Sequence, residues 1–200
     1  MVGQYGTSKI NRCLLSLFLL FVSCTQASKT EESEIEILVP LKNGDLIVRQ
    51  GTGYFSDLFR HMGSRDKKYS HIGIISKEQD SIFVYHIEAD EFTGEGFALR
   101  EQVGSFIKNA KTYTFFENQM DSIARNAMLN KAKEFVQLQV KFDLNFNAED
   151  DDKLYCTELV AKSINYGLDS VYITPTASLK GRLFYGLDDI YSKDVFKEIE

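Results

Sequence analysis

β-Branched and aromatic residues dominate two neighbouring runs, His71 to Lys77 and Ser81 to Ala89, separated only by Glu78-Gln79-Asp80. Such runs predict two strands closed as a hairpin. A loop centred on Gln79-Asp80 sets His71 opposite Glu88 and Gly73 opposite His86. With side chains alternating at period two, His71, Gly73, His86 and Glu88 then share one sheet face, and glycine leaves space beside them. A three-residue loop or a bulge would shift this register. Ahead of the hairpin, Asn43-Gly44-Asp45 makes a turn into a strand over Leu46 to Arg49, and Ser56 to Met62 reads as a short helix closed by Gly63. Beyond it, Leu99 to Lys108 has a helical composition and Thr112 to Phe116 that of a strand. The longest helical pattern is Met120 to Val140, with Ile123, Ala127, Met128, Ala132, Phe135 and Val136 on its packing face. From Cys156, apolar residues fall at Leu159, Val160 and Ile164, the one-face spacing of a helix ending near Gly167. Val171 to Ile173 suggests a short strand, Thr174-Pro175 a break, and Leu183 to Tyr191 a last packing segment. Strands and helices thus mix in one α+β domain over residues 37–200, with no internal repeat and no linker.

The first 24 residues stand apart from this pattern. Lys9 and Arg12 precede an apolar run from Leu14 to Val22, the layout of a signal peptide and too short for a permanent membrane span. The run ends in Phe21-Val22-Ser23-Cys24, similar to a bacterial lipobox, which makes Cys24 the expected lipidation site. An ordinary secretory signal cleaved near Ala27 is the alternative. Residues 25–36 are polar and acidic and read as a solvated tether. These features predict a membrane-anchored lipoprotein of the bacterial cell envelope. The net charge of -6 carries no basic footprint, which argues against a nucleic-acid partner. With 15 Phe, 10 Tyr and no Trp spread through the presumed elements, the aromatics build core rather than a stacking surface.

Charge and export change the meaning of one cysteine. Cys13 lies inside the signal and Cys24 would carry lipid, so Cys156 alone is left in the folded domain without a disulfide partner. A helix start offers unpaired N–H groups and a dipole that lower a thiol pKa, so Cys156 is a candidate nucleophile reactive below pH 8. Among the three histidines, His61 belongs to the first short helix and His86 lies mid-strand, whereas His71 opens its strand at a rim. His71 is therefore the candidate base, and Glu88 the acid that fixes its tautomer. Tyr69 is a candidate oxyanion donor and His86 a further titratable group near the substrate. Other chemistries fit less well. Gly51-Thr52-Gly53 lacks the Gly-Lys-Ser/Thr of a P-loop, Glu149-Asp150-Asp151-Asp152 lacks EF-hand spacing, and zinc on His71, His86 and Cys156 would have no close-spaced ligand pair. No metal and no cofactor is expected.

Four segments in order carry a family likeness: Asn43-Gly44-Asp45-Leu46-Ile47, Tyr69-Ser70-His71-Ile72-Gly73-Ile74, Val84-Tyr85-His86-Ile87-Glu88-Ala89 and Tyr155-Cys156-Thr157-Glu158-Leu159-Val160. Together they resemble the permuted papain-like amidases of the YaeF/YiiX type, in which the histidine strand precedes the cysteine helix. The resemblance implies a papain-like core in permuted order, with an antiparallel half-barrel sheet packed on the cysteine-bearing helix. It also implies Cys156, His71 and Glu88 as nucleophile, base and orienting acid, acting on an amide of a peptidoglycan peptide or an N-acyl amino acid. A thioesterase or acyltransferase on lipid-like substrates, favoured by an apolar groove beside Cys156, and a non-catalytic envelope binding module are the alternatives.

Overall fold

In a computed structural model, the described residues are 37–63, 65–149, 151–179 and 181–200. The predicted signal, Cys24 and the tether lie outside them. Among the described residues no helix is long and apolar enough to cross a membrane.

The first half of the domain is mostly sheet: β1 (Leu46–Gln50), α1 (Tyr54–Gly63), β2 (His71–Glu78), β3 (Ser81–Ala89), β4 (Gly96–Gln102), α2 (Val103–Ile107) and β5 (Thr112–Asn118). The second half adds α3 (Ser122–Gln137), β6 (Lys141–Phe142), β7 (Lys153–Leu154), α4 (Cys156–Gly167), β8 (Ala177–Leu179), β9 (Arg182–Phe184), α5 (Asp188–Tyr191) and β10 (Phe196–Glu198). Eight strands make one curled half-barrel sheet in the order β10-β5-β1-β2-β3-β4-β6-β7, and β8-β9 pair separately. All pairings are antiparallel except β6 with β7.

The β2–β3 ladder has the register read from the loop, with Ile74 opposite Tyr85 and Glu78 opposite Ser81. At its open end β2 pairs with β1, so His71 lies across from Arg49. Alternation divides the apolar residues between two faces. Leu46, Val48, Ile72, Ile74, Tyr85 and Ile87 join the core built with α3 and α4. Ile47, Ile75, Val84 and Phe115 join a smaller core with Phe106 and Ile107 of α2. His71, His86 and Arg49 fall on this second face by the same alternation.

Several elements differ from the sequence pattern. The run read as a helix over Leu99 to Lys108 is strand as far as Gln102, paired with β3 from Phe83–Gln102 to Ala89–Gly96, and only five residues of helix follow. Its long side chains are good helix formers, but cross-strand contacts outweigh propensity: Arg100 lies 3.3 Å from the Phe83 ring centroid and bonds Glu78 at 3.0 Å. In α3 the buried residues are Ala124, Met128, Leu129, Ala132 and Phe135, while Ile123 is exposed. Asp121 caps this helix by accepting from the Ile123 and Ala124 N–H groups at 2.9 Å. Val171 to Ile173 is not a strand, because the Asn165 side chain takes up its backbone groups, accepting from Tyr172 and Ile173 and donating to the Ile173 carbonyl. Buried Asp45 is structural, accepting from the Lys42 and Asn118 N–H groups at 2.6 and 3.0 Å.

Helix α4 is the centre of the larger core, with Leu159, Val160, Ala161 and Ile164 at 0% exposure. It lies close to α3, and a Cβ added at Gly167 would stand 2.5 Å from the Ala124 carbonyl oxygen and 3.0 Å from the Met128 Cβ. Gly167→Ala should therefore force α3 and α4 apart and cost about 1–3 kcal/mol, the usual range for overpacking. Equilibrium urea unfolding measures this; an unchanged midpoint would contradict the close approach.

Candidate active site

Cys156 begins α4 and is 7% exposed, with its helix entered from Tyr155 in extended conformation. Glu158 stabilises the start: its Oε2 accepts weakly from the Tyr155 N–H at 3.4 Å, and its Oε1 lies 2.9 Å from the Lys162 ammonium. Burial still pushes the Glu158 carboxyl up to about 8.

The thiol stands where α4 starts and β2 begins. The backbone amides of Thr157, Ile72 and Cys156 itself act to lower the thiol's pKa, Ile72 lying in β2 one residue past His71. The helix start thus acts as expected but does not prevail. Burial is the larger effect and pushes the thiol up to about 12, with the Glu88 charge adding to it. This reverses the low pKa expected from a helix N-terminus.

His71 is buried and its Nε2 lies 2.9 Å from His86 Nδ1, the two rings nearly perpendicular at 86°. His86 is at 0% exposure and its Nε2 lies 2.8 Å from Glu101 Oε1. Both imidazoles lie against Phe106, at 5.4 and 5.0 Å between centroids. The space Gly73 was expected to leave is used by close packing: a Cβ there would lie 2.3 Å from Val84 Cγ1 and 3.2 Å from His86 Cβ. Desolvation first, then the Arg49 guanidinium and the neighbouring His86, hold His71 well below the usual imidazole range.

Glu88, expected as the partner of His71, is ion-paired with Arg49 instead. Arg49 stands directly across β1–β2 from His71 and lays its guanidinium 4.7 Å from the Phe106 ring centroid. Tyr69 is buried with its ring edge-on to Tyr191 at 5.7 Å, and it is not among the side chains that line the cleft at Cys156. His61 is exposed on α1, with Nδ1 at 2.7 Å from the Asp57 carbonyl.

A polar cleft of about 410 Å³ opens at this rim, bordered by Cys156, His71, Glu88, Arg49 and Glu101 together. Ser56, Ser70, Glu91, Ser105 and Asn109 also face it, and so do Gly51 and Thr52, the loop that has no P-loop signature. Glu101 and Arg49 carry no signal in the sequence. Glu101 fell in a segment read as helix, and Arg49 ends a strand whose pairing partner was unspecified. A sheet register for β3–β4 would have placed Leu99 beside His86 and Glu101 two residues further along the same face.

A histidine on a half-barrel strand, ahead in sequence of a helix-borne cysteine in the same cleft, is the arrangement of a papain-like fold in permuted order. The model of the permuted papain-like amidase enzyme family, YaeF/YiiX (C92), matches residues 40–195, and the chain belongs to that family. The fold is also similar to the crystal structure of metalloprotein yiiX from Escherichia coli O157:H7, with a TM-score of 0.65 and 13% identity over 80% of this chain and 96% of that one. No curated protein matches the chain significantly.

Thiolate reactivity should follow the buried thiol. Between pH 7 and 10 the rate of Cys156 alkylation by iodoacetamide should rise about tenfold per pH unit without levelling, since only the thiolate reacts. Quantifying the Cys156 adduct by mass spectrometry tests this, and a plateau at or below pH 8 would show a thiolate already formed at rest.

Proposed function

We propose that this protein is a cell-envelope cysteine hydrolase that cleaves an amide bond through a thioester, with Cys156 as nucleophile and His71 as base. The observation that carries the proposal is the bond from His71 Nε2 to His86 Nδ1 in the cleft that Cys156 enters. It gives the base a defined proton polarity. The Glu101 carboxylate can only accept, so His86 carries its proton on Nε2 and its Nδ1 accepts. His71 in turn carries its proton on Nε2, which leaves the lone pair of its Nδ1 for the thiol. A neutral imidazole and a neutral thiol stand at rest, so proton transfer accompanies attack rather than preceding it.

In this mechanism His71 Nδ1 takes the Sγ proton as sulfur bonds to the amide carbon. The resulting oxyanion is met by backbone N–H groups at the start of α4. Collapse breaks the C–N bond while His71 returns the proton to the leaving nitrogen. Water then adds to the thioester with His71 as base, and breakage of the C–S bond restores the thiol. Glu88 balances the Arg49 charge that otherwise depresses His71 further. The substrate class is a peptide or an N-acyl amino acid, with peptidoglycan peptides as envelope candidates. A lipid on Cys24 would hold the domain at the membrane.

The yiiX protein is described as a metalloprotein. Here His71, His86 and Glu88 have donor atoms within 4.8 Å of one another. They do not fit a metal as arranged. The two ring nitrogens are hydrogen-bonded to each other, and Glu88 is held by a guanidinium whose charge would repel a cation. No step of the mechanism uses one.

Assay on N-acetyl amino acids and peptidoglycan peptides should find Cys156→Ala inactive and His71→Ala reduced at least ~100-fold, the usual share of a general base. Glu101→Leu should lose about tenfold or more in kcat, whereas Glu101→Gln, which still accepts from His86, should retain most of it. Nitrogen-15 shifts of His71 report the tautomer. Wild-type turnover and an unchanged tautomer in Glu101→Leu would sink the relay. Cys24→Ala should release the protein from the membrane fraction, and its retention there would refute the lipid anchor.

A further inference from the structure

A second hollow borders Cys156, and His71 is not among the residues that line it. Phe59, Phe142, Phe146, Phe184 and Leu187 wall it, together with Tyr155, Thr157 and Tyr185. Phe146 is its hub, with ring centroids 5.5 Å from Phe59, 5.1 Å from Tyr155 and 6.0 Å from Phe184. Two of the hydroxyls there are engaged: Thr157 Oγ1 donates to the Tyr185 carbonyl at 2.7 Å, and Tyr155 Oη accepts from the Tyr185 N–H at 2.9 Å. The lining is mostly apolar. The hollow holds about 20 Å³ of free space against about 410 Å³ in the polar cleft. On the same measure a single water needs roughly 10–15 Å³, so the fit is to a methyl or ethyl group and not to a chain.

Cys156, Phe59 and Phe142 border both spaces, so the nucleophile stands at their junction, whereas His71 faces only the cleft. This asymmetry orients a substrate. The group that returns a proton to the leaving nitrogen must stand on the leaving side, which makes the polar cleft the site of the departing amine. The acyl portion then points the other way. We propose that the aromatic hollow around Phe146 is the acyl-side specificity subsite, and that it takes a small apolar group such as an acetyl methyl or the side chain of an alanyl residue. The inference rests on Cys156 being the nucleophile and adds the size and polarity of what it accepts. It separates this protein from hydrolases of long-chain lipid acyl groups, since a chain would have to displace several packed rings.

The test varies the acyl group alone. The p-nitrophenyl esters of acetate, butyrate and octanoate each acylate a thiol as sulfur bonds to the carbonyl carbon, the ester C–O bond breaks and p-nitrophenolate leaves. Acylation is read from the p-nitrophenolate released and from the mass added at Cys156 in the full domain. Acetate should acylate at least about tenfold faster than octanoate, after correction for each ester's reaction with a small thiol. Phe146 is half-buried in a loop, and Phe146→Ala should narrow that ratio severalfold by enlarging the hollow, with Phe146→Leu as the milder variant if the alanine form melts early. Equal rates at all lengths, fastest acylation by octanoate, or a ratio unmoved in a folded Phe146 variant would overturn the subsite. An adduct missing from Cys156 with every ester would instead remove the nucleophile itself.

Discussion

The burial of α4 in the curled sheet is the constraint on which the rest depends. Its Leu159, Val160, Ala161 and Ile164 are fully enclosed, and the apolar area they take from water is worth on the order of 1–3 kcal/mol for each large side chain. Because this packing sets the axis of the helix, it also sets where the first turn emerges. The first turn emerges at the start of β2, and Cys156 has no freedom to be elsewhere. Gly167 at the opposite end lets α3 close over the helix, so that end of the cysteine helix is held by close backbone approach.

The same burial sets the chemistry. A helix N-terminus favours a thiolate, but here the thiol is buried, and desolvation is the larger effect. His71 is subject to the same penalty with the opposite sign, since its charged form is the protonated one. Both groups rest neutral. A site of this kind depends on hydrogen-bond polarity rather than on a standing ion pair, and the Glu101–His86–His71 chain supplies that polarity through two bonds of 2.8 and 2.9 Å. Arg49 and Glu88 neutralise each other beside it, so a partly buried cation next to His71 does not stand alone.

Much of the scaffold was legible because it rests on local patterns. The Cys156 helix ends at Gly167 as its spacing predicts, and the β2–β3 hairpin keeps the register implied by its short loop. That register put His71, His86 and Glu88 on one face. It could not say which side chains would meet there, because the open end of β2 pairs with β1 and brings in Arg49, which takes Glu88 and leaves His86 next to His71. Where local propensity and pairing disagreed, at residues 99–102, pairing prevailed and carried Glu101 to His86.

Sequence by itself determined the permuted order of histidine strand and cysteine helix, the single cysteine within residues 37–200, and the alternation that gathers polar groups on one face. These are properties of spacing and composition, readable one segment at a time. Only the tertiary structure decided the partner of each polar group, the sign of the thiol's pKa shift and the small aromatic hollow beside it. Each of those depends on what segments distant in sequence place around a group: Arg49 beside Glu88, Glu101 beside His86, and Phe59, Phe146 and Phe184 in the hollow that Cys156 borders. Desolvation and steric volume are set by all neighbours at once, and no single stretch of chain contains them.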